Sequence, residues 1–501
     1  MAKRITAFIL CAILLVSVLS ACSSPAPSPE PEEKKTEPIQ SQTDTIPNDD
    51  TTFKLSYTQT DSLNPFKAKT QNNQLIGQLV FDGLFKLDGN YKASPKIAES
   101  YSYPDSTTLR VTIGRTLTFS DGSMLTAEDV VYSFEKAASS SYWGNSLDGI
   151  SSCKASGSTT VTFNLKHPNN YAHNLLIFPI ISTENDENGY PVGSGRYYFA
   201  TESGELVLKA NTQNGFSAHL TTIHLENITS YESIDNAVNI GNISLAFRDL
   251  GRDSTKKITA DKKLVNMNNL VYLGVNNNRG ITSNSYIRKA ISLAIDRDKL
   301  IQSPYSSFGQ AATTVFNPQF ELSVTKIFEE TADVNAAKQA IAQSGVSNLS
   351  LSLLVNGDNT DRVTCAKMIE QQLEAVGFSV NIITENSYEK YQSRIEKENF
   401  DLYLGETKIS PDMSLYTFFS SGGATHYGID LDDCSSAEQY KKYLSGDAEL
   451  GTFLLEFSNE MPYIPLLYRK GMICYSKAMN GDMQGTYTDC FANIENWYFK
   501  S

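Results

Sequence analysis

A carboxylate that follows a predicted strand is the first group in this sequence that could bind a ligand. The stretch 400–404 is apolar except for Asp401 and predicts a strand, and Gly405 and Glu406 come directly after it. Open parallel sheets bind ligands beyond the carboxyl ends of their strands. We therefore expect Glu406 to face a crevice between two parts of the protein. A solvated acid in a surface loop is the competing interpretation, because acidic loop residues are common.

No catalytic signature accompanies this carboxylate. The sequence has no G-x-S-x-G, no H-E-x-x-H and no G-x-x-x-x-G-K-[ST] pattern. The pair of glycines at 193 and 195 lacks the spacing of a nucleophile elbow. We expect a protein that is not an enzyme, with a secreted hydrolase as the less favoured alternative.

The histidines do not suggest a metal site. They form neither an i, i+4 pair on a helix nor a His-x-His chelate, and each is more typical of a surface or hydrogen-bonded residue. His426 is the exception to watch, because it lies near the Glu406 loop. No metal and no cofactor is predicted. The five histidines are at positions 167, 173, 219, 224 and 426.

The N-terminus predicts export and a lipid anchor. Lys3 and Arg4 precede the apolar stretch 5–19, which is too short to span a bilayer and fits a secretory signal over 1–21. Small residues lead into Cys22, and residues 19–22 (LSAC) resemble a bacterial lipobox, in which the chain is cut before the cysteine and lipid is attached to its sulfur. The alternative is an ordinary cleaved signal in which Cys22 is incidental.

The segment after Cys22 predicts a tether. Residues 22–50 are rich in proline and charge and contain no aromatic residue, so they cannot bury apolar surface and should stay extended. With lipid on Cys22 the folded part would be held at the extracellular face of the cell membrane.

Composition limits the partners of the folded part. The net charge is −14, and loss of Lys3 and Arg4 with the signal makes it −16, which argues against nucleic acid as a partner. About 450 residues remain, enough for two or three lobes. Five cysteines follow Cys22, an odd and scattered set that is not a disulfide framework, and Cys474 with Cys490 is the least implausible pair.

The pattern of secondary structure changes along the chain. Residues 53–125 predict mainly strands, and Thr126 with Asp129 forms a capping box at the start of a helix. Residues 349–404 instead predict a β-α-β-α-β series, which implies a parallel sheet with right-handed crossovers. The two patterns indicate separate lobes.

Seven segments in order resemble the bacterial family 5 extracellular solute-binding proteins, which include the oligopeptide, dipeptide and nickel binders of ABC importers. The longest of them is close to the family pattern "fsDGxplTAeDVvfSf". The segments are 63–66 (LNPF), 81–85 (FDGLF), 95–100 (PKIAES), 119–134 (FSDGSMLTAEDVVYSF), 191–195 (PVGSG), 287–297 (IRKAISLAIDR) and 461–466 (MPYIPL).

The resemblance implies an α/β, periplasmic-binding-protein-like type II fold, with two halves in three lobes that close around a ligand cleft. Lobe I would comprise 51–75, 190–268 and 471–501, the inserted lobe II 76–189, and lobe III 269–470 with the parallel sheet. It also implies a protein, expected to be a monomer, that hands oligopeptides to an ABC permease. A metal-chelate or other small-solute binder, and a receptor for peptide signals, remain alternatives.

The resemblance also implies candidate ligand contacts. Peptide-binding members hold an extended peptide as an added strand. One backbone strip would be Lys69, Thr70 and Gln71, and the other would be the loop containing Gly405, Glu406 and Thr407. An aspartate of the family's "W-x-x-D-x-x-D-P" loop pairs with the peptide ammonium.

This sequence lacks the tryptophan and the aspartate of that pattern. Glu406 stands one place before the aligned position and is predicted to replace the aspartate, since a buried charge must be paired. Asp412 is the second choice. Three tyrosines near the same loop are predicted to line the cleft: Tyr403, Tyr416 and Tyr427.

Overall fold

The computed structural model describes residues 52–186, 189–249 and 258–500. The predicted signal 1–21 and the whole of the predicted tether 22–50, including Cys22, lie outside the described residues. In the described part of the chain, no helix is both long enough and apolar enough to cross a membrane.

The helices are short, and most of them flank strands. They are α1 (Gln71–Val80), α2 (Ala127–Ala138), α3 (Gly144–Leu147), α4 (Tyr231–Asn239), α5 (Ser285–Ala294), α6 (Arg297–Gln302), α7 (Val334–Ser344), α8 (Thr360–Glu374), α9 (Tyr388–Glu396), α10 (Tyr416–Phe419), α11 (Ser435–Ser445) and α12 (Leu450–Glu460), with 3₁₀ turns at Ala172–Leu175, Ile281–Ser283 and Ile494–Asn496.

The strands fall into one large sheet and several small ones. They are β1 (Lys54–Tyr57), β2 (Phe85–Leu87), β3 (Ala93–Pro95), β4 (Ala98–Asp105), β5 (Thr108–Ile113), β6 (Ile150–Ser156), β7 (Thr160–Leu165), β8 (Ile181–Asn185), β9 (Pro191–Gly193), β10 (Tyr197–Glu202), β11 (Glu205–Ala210), β12 (Thr222–Asn227), β13 (Leu245–Asp249), β14 (Asp261–Val275), β15 (Gly309–Ala311), β16 (Ser350–Asn356), β17 (Ser379–Glu385), β18 (Leu402–Lys408), β19 (Tyr463–Tyr475), β20 (Met479–Asn480) and β21 (Tyr498–Phe499).

The large sheet has 11 strands, and two long strands join its two ends. Its order is β10-β11-β12-β1-β13-β19-β14-β18-β16-β17, with β15 also paired to β19. The strand β19 is buried along nearly its whole length, as expected for a central strand. It pairs with β13 through 471–475 and with both halves of β14, with a register shift between Asn266 and Leu270. The boundaries of the three lobes stay a prediction.

The predicted β-α-β-α-β series is present at one end of this sheet. The strands β16 and β17 pair in parallel, and β16 also pairs in parallel with β18. The helix α8 between the first two is capped by Asn359, whose side chain accepts from the Arg362 amide, and it buries Ala366 and Ile369. The long-range pairing of β18 corrects one boundary: the strand runs to Lys408, so Gly405, Glu406 and Thr407 lie within it and not in a loop.

A four-stranded antiparallel sheet, in the order β4-β5-β7-β6, forms the core of the 76–189 segment. The helix α2 contacts this sheet and starts at the predicted capping box, where the Thr126 amide and hydroxyl both donate to Asp129 Oδ2, at 2.8 and 2.7 Å. Gly195 lets the chain pass close to the end of α1, because a Cβ there would lie 2.5 Å from the Leu79 carbonyl oxygen.

The five described cysteines are free, and four of them are buried. The pairing of Cys474 with Cys490 suggested by the sequence is therefore wrong. Burial raises the pKa of the Cys474 thiol to about 12 and raises that of Cys490 as well. Both side chains serve as small apolar residues in the core.

Candidate ligand-binding cavity

A cavity of about 1220 Å³ lies where the small sheets meet the large one. It exceeds the roughly 300–1,000 Å³ that is usual for pockets for drug-sized ligands. Its walls are drawn from widely separated parts of the chain: residues within 65–96, 142–179, 407–424 and 484–495, together with Arg196, Phe216, Lys263 and Asn268.

The walls of the cavity combine aromatic rings with polar and charged groups. Three of the cations on the wall are already paired: Lys96 with Asp82 at 3.4 Å, Lys166 with Asp148 at 2.7 Å and Arg196 with Asp489 at 2.7 Å. The aromatic residues offer flat surfaces that suit varied side chains. These aromatic wall residues are Phe81, Phe85, Tyr91, Tyr142, Trp143, Phe216, Tyr416 and Tyr487.

Asp412 lines this cavity and is only 6% exposed. Its Oδ2 accepts from Asn169 Nδ2 at 2.6 Å, while its Oδ1 accepts from the Ser410 hydroxyl and from the Ser414 amide. All of these donors are neutral, and burial raises the pKa of the carboxyl above its usual range. Within the described residues no cation lies at ion-pair distance from it, so its charge is not balanced by the protein there.

The backbone beside Asp412 is held in an uncommon conformation. Met413 has a φ of 57° and is almost fully buried. For a residue other than glycine, this backbone conformation costs of order 1–3 kcal/mol, and it persists only where the surrounding structure holds it. The Asp412 side chain is therefore held in place by the fold.

The contacts between the Asp412 segment and the 76–189 segment include a bond from Asn174 Nδ2 to the Pro411 carbonyl oxygen at 3.1 Å. Besides the Asn169 bond to Asp412, the ring of His167 stacks on Tyr416, with 4.2 Å between the ring centroids. Burial lowers the pKa of His167, with Lys166 and Lys441 acting in the same direction. The two segments thus meet at the edge of the cavity through the Asp412 carboxylate, an amide group and a pair of stacked rings.

Glu406 has a different environment from the one predicted. Its Oε2 accepts from Arg362 Nη2 at 2.8 Å, and its Oε1 accepts from Arg469 Nε at 3.0 Å and from Asn269 Nδ2 at 2.9 Å. Arg469 is also bound by both carboxylate oxygens of Asp249. Burial opposes ionisation, but the two arginines hold the pKa of Glu406 below its usual range.

The carboxylate of Glu406 is therefore already balanced by cations, and the residue is not part of the cavity wall. The expectation that its charge is available for a ligand rested on a loop position, and the structure corrects that position to the interior of β18. The arrangement resembles a buried ion-pair network between neighbouring strands and a helix.

The predicted backbone strip at Lys69, Thr70 and Gln71 lies away from the cavity wall. The amides of Lys69 and Thr70 donate to the carboxylate of Asp61, and the Thr70 hydroxyl donates to it at 2.7 Å. Gln71 begins α1. These amides already have acceptors, so their placement does not favour pairing with a ligand.

The other predicted contacts divide between cavity and core. Thr407 and Tyr416 are in the cavity wall. Tyr403 is buried, and its hydroxyl lies 3.1 Å from that of Tyr272. Gly405 is required by the same packing, because a Cβ there would lie 2.7 Å from the Tyr272 ring. Tyr427 stacks on His426 and is not in the wall.

Several wall residues carry no signal in the sequence. Lys408, Tyr142 and Tyr487 converge from three distant parts of the chain, and Trp143 donates to the Pro65 carbonyl. Arg196 has a partial signal, since it follows the 191–195 motif, and it binds Asp489 and the Phe491 carbonyl of the C-terminal segment.

Among the described residues, no group of three or more histidine, cysteine, aspartate or glutamate side chains is placed to hold a metal ion. His426 Nδ1 lies 2.6 Å from the Gly423 carbonyl oxygen, so that ring nitrogen has a partner.

Comparison with solved structures bears on the fold. The chain matches the unliganded open form of the periplasmic murein tripeptide binding protein MppA with a TM-score of 0.73 and 18% identity, over 89% of this chain and 97% of that one. It matches Brucella suis NikA in complex with Fe(III)-EDTA with a TM-score of 0.67 and 19% identity, over 89% and 100%. The predicted periplasmic-binding-protein-like type II fold is confirmed.

Comparison of sequences identifies the family. The oligopeptide-binding protein AppA of Bacillus subtilis is 23% identical over 566 residues, covering 99% of this chain and 99% of AppA. The model of the bacterial extracellular solute-binding proteins, family 5, matches residues 92–426, which is more than half of the chain. The protein therefore belongs to the family 5 bacterial extracellular solute-binding proteins.

Proposed function

We propose that this protein captures oligopeptides in the 1220 Å³ cavity and delivers them to the permease of an ABC importer. It acts as a monomer and without catalysis. The observation that carries the proposal is Asp412, a buried carboxylate in the cavity wall whose hydrogen-bond donors among the described residues are all neutral. A ligand ammonium would balance its charge and take up its remaining lone pair.

The size and chemistry of the walls favour a peptide over a single ion. An extended peptide presents one ammonium, a series of backbone groups and side chains of varied shape. The cavity offers Asp412, a buried carboxylate without a paired cation among the described residues, together with polar groups such as Thr407 and Asn268 and broad aromatic surfaces. Relatives named for oligopeptide and murein tripeptide binding agree with this choice, whereas the NikA complex keeps a metal chelate as the alternative.

A ligand panel tests the proposal. Purified protein is heated alone, with di- to hexapeptides, or with nickel and iron chelates, and the melting temperature is followed. A peptide at 100 times its Kd should stabilise the folded state by about 2.7 kcal/mol, because it binds the folded state only.

Mass spectrometry of ligand that co-purifies with the protein provides the second measurement, and a set of intact peptides is expected. Stabilisation by metal chelates alone, or recovery of a single non-peptide solute, would replace the proposed substrate class. Cleavage of the added peptides would contradict the non-catalytic role.

The proposed anchor is tested separately. We propose that lipid on Cys22 holds the protein at the extracellular face of the membrane, and that Cys22→Ala releases a binding-competent protein into the medium. Fractionation of cells, with metabolic labelling by a fatty acid, should show the label and the membrane fraction lost together. A Ser23→Ala variant serves as the control and should stay on the membrane. Membrane retention of Cys22→Ala would refute the anchor.

A further inference from the structure

Lys408 is a cation in the cavity wall that the described protein does not neutralise. It is the last residue of β18 and is exposed to the cavity. Its Nζ lies 5.4 Å from the ring centroid of Tyr142 and 5.0 Å from that of Tyr487. Within the described ranges no carboxylate lies at ion-pair distance from it, in contrast to Lys96, Lys166 and Arg196.

The two rings hold the ammonium without cancelling its charge. A cation within about 6 Å of an aromatic centroid is attracted to the face of the ring. Burial raises the pKa of the Tyr142 hydroxyl and of the Tyr487 hydroxyl to about 12, so both phenols are neutral at physiological pH. The cage formed by Lys408, Tyr142 and Tyr487 therefore has a net positive charge.

The carboxylate of Asp249 does not cancel the positive charge of the cage. Asp249 acts electrostatically on Tyr487, but its carboxylate binds Arg469 through both oxygens. Two other wall lysines, Lys86 and Lys263, also have no carboxylate at ion-pair distance among the described residues, but no aromatic cage fixes their long side chains. Lys408 is the cation whose position is defined by its surroundings.

Lys408 and Asp412 lie in one short stretch of the cavity wall and have opposite charges. They are four positions apart, so their Cα atoms are at most about 14 Å apart, the extended length of about four residues. The side chains of Lys408 and Asp412 add to the distance that can be spanned. An extended peptide whose ammonium is bound by Asp412 and whose carboxylate is bound by Lys408 can therefore have at most about six residues.

We infer that the cage of Lys408, Tyr142 and Tyr487 binds the terminal carboxylate of the ligand, while Asp412 binds its ammonium. The inference rests on the proposed function and narrows it: the ligands are peptides of up to about six residues with both termini free. The carboxylate would accept hydrogen bonds from an ammonium that has no other acceptor assigned to it, and such charge-assisted bonds are the strong ones.

Paired peptides test this assignment. The best-binding tetrapeptide that has no acidic or basic side chain is prepared as a free acid and as a C-terminal amide, and affinities are measured by calorimetry. The wild-type protein should bind the acid at least tenfold more tightly than the amide. In Lys408→Met, which keeps most of the apolar stem, the acid should bind at least tenfold more weakly and within about twofold of the amide.

Controls separate this inference from the proposed function. Lys86→Met removes another wall lysine and should leave the ratio of acid to amide affinity unchanged. Lys408→Arg keeps a cation at position 408 and should retain part of the preference for the acid that Lys408→Met loses. Equal binding of acid and amide by wild type would refute the cage as a carboxylate site and leave peptide capture intact. If Lys408→Met weakened the binding of the acid and of the amide by the same factor, Lys408 would have only a structural role. Failure of every peptide to bind would refute the proposed function itself.

Discussion

Replacing Asp412 with asparagine should weaken peptide binding by about thirtyfold to several thousandfold. Removal of one partner of a buried charge pair costs roughly 2–5 kcal/mol, and each 1.4 kcal/mol is a factor of ten in affinity. The loss should be confined to peptides with a free ammonium, because an N-acetylated peptide has no charge for Asp412 to balance.

The same substitution should leave the ligand-free protein at least as stable as wild type at neutral pH. Burial raises the pKa of Asp412 in the folded state, and its donors are neutral. A carboxyl with a raised folded pKa lowers stability as the pH rises from its unfolded pKa through its folded pKa. Asparagine removes that penalty, and its own side-chain oxygen can still accept from Asn169 Nδ2.

Calorimetry with free and N-acetylated peptides, and thermal unfolding between pH 4 and 8, provide the measurements. Asp148→Asn is a matched control, since Asp148 also lines the cavity but is exposed and paired with Lys166. It should change peptide affinity by less than about threefold, a range typical of an exposed pair. An Asp412→Asn protein that binds free peptides as tightly as wild type would remove the central support for the proposed ammonium site.

Glu406→Ala should destabilise the folded protein by roughly 3–5 kcal/mol, because removing one partner of a buried pair leaves charges unbalanced. Arg362 and Arg469 both donate to this carboxylate, and the Arg469 side chain is only 7% exposed. Urea unfolding should show a lower midpoint with a similar slope. The control is Glu438→Ala, which breaks the exposed pair with Lys442 and should leave the midpoint nearly unchanged.

The pH dependence of Glu406 should have the opposite sign to that of Asp412. The arginines lower the folded pKa of Glu406, so its stabilising contribution is complete above the unfolded pKa and is lost as the pH falls through the folded pKa. A Glu406→Ala protein as stable as wild type but unable to bind peptide would instead support the role that the sequence first suggested for this residue.

Local patterns predicted the parts of the fold that depend on neighbours in the chain. The capping box at Thr126 and Asp129 is present, and the alternation of strands and helices over 349–404 reappears as β16, α8, β17, α9 and β18. These features rest on contacts between residues three or four positions apart, or on the periodicity of apolar residues, which a sequence displays directly.

The site depended on contacts that the sequence does not display. The strand β18 extends through Lys408 because residues 269–275 of β14 pair with it. The charge of Glu406 is balanced by Arg469, which lies 63 positions away along the chain. The cage around Lys408 likewise needs Tyr142 and Tyr487, which no local motif connects. The resemblance pointed to the segment 405–412, and the pairing of its charges decides which of its acids faces the cavity.

The position of β19 has a consequence for how the protein reaches its folded state. This strand pairs with β13 and β14 at the middle of the large sheet, yet it consists of residues 463–475, close to the C-terminus. The earlier strands therefore cannot complete their sheet until almost the whole chain is available. Pairing over such long sequence separations is slow, because loop closure must precede the stabilising contacts. Until residues 463–475 are available, the two ends of the large sheet stay separate, and the same strand order that unites them makes its assembly a late step of folding.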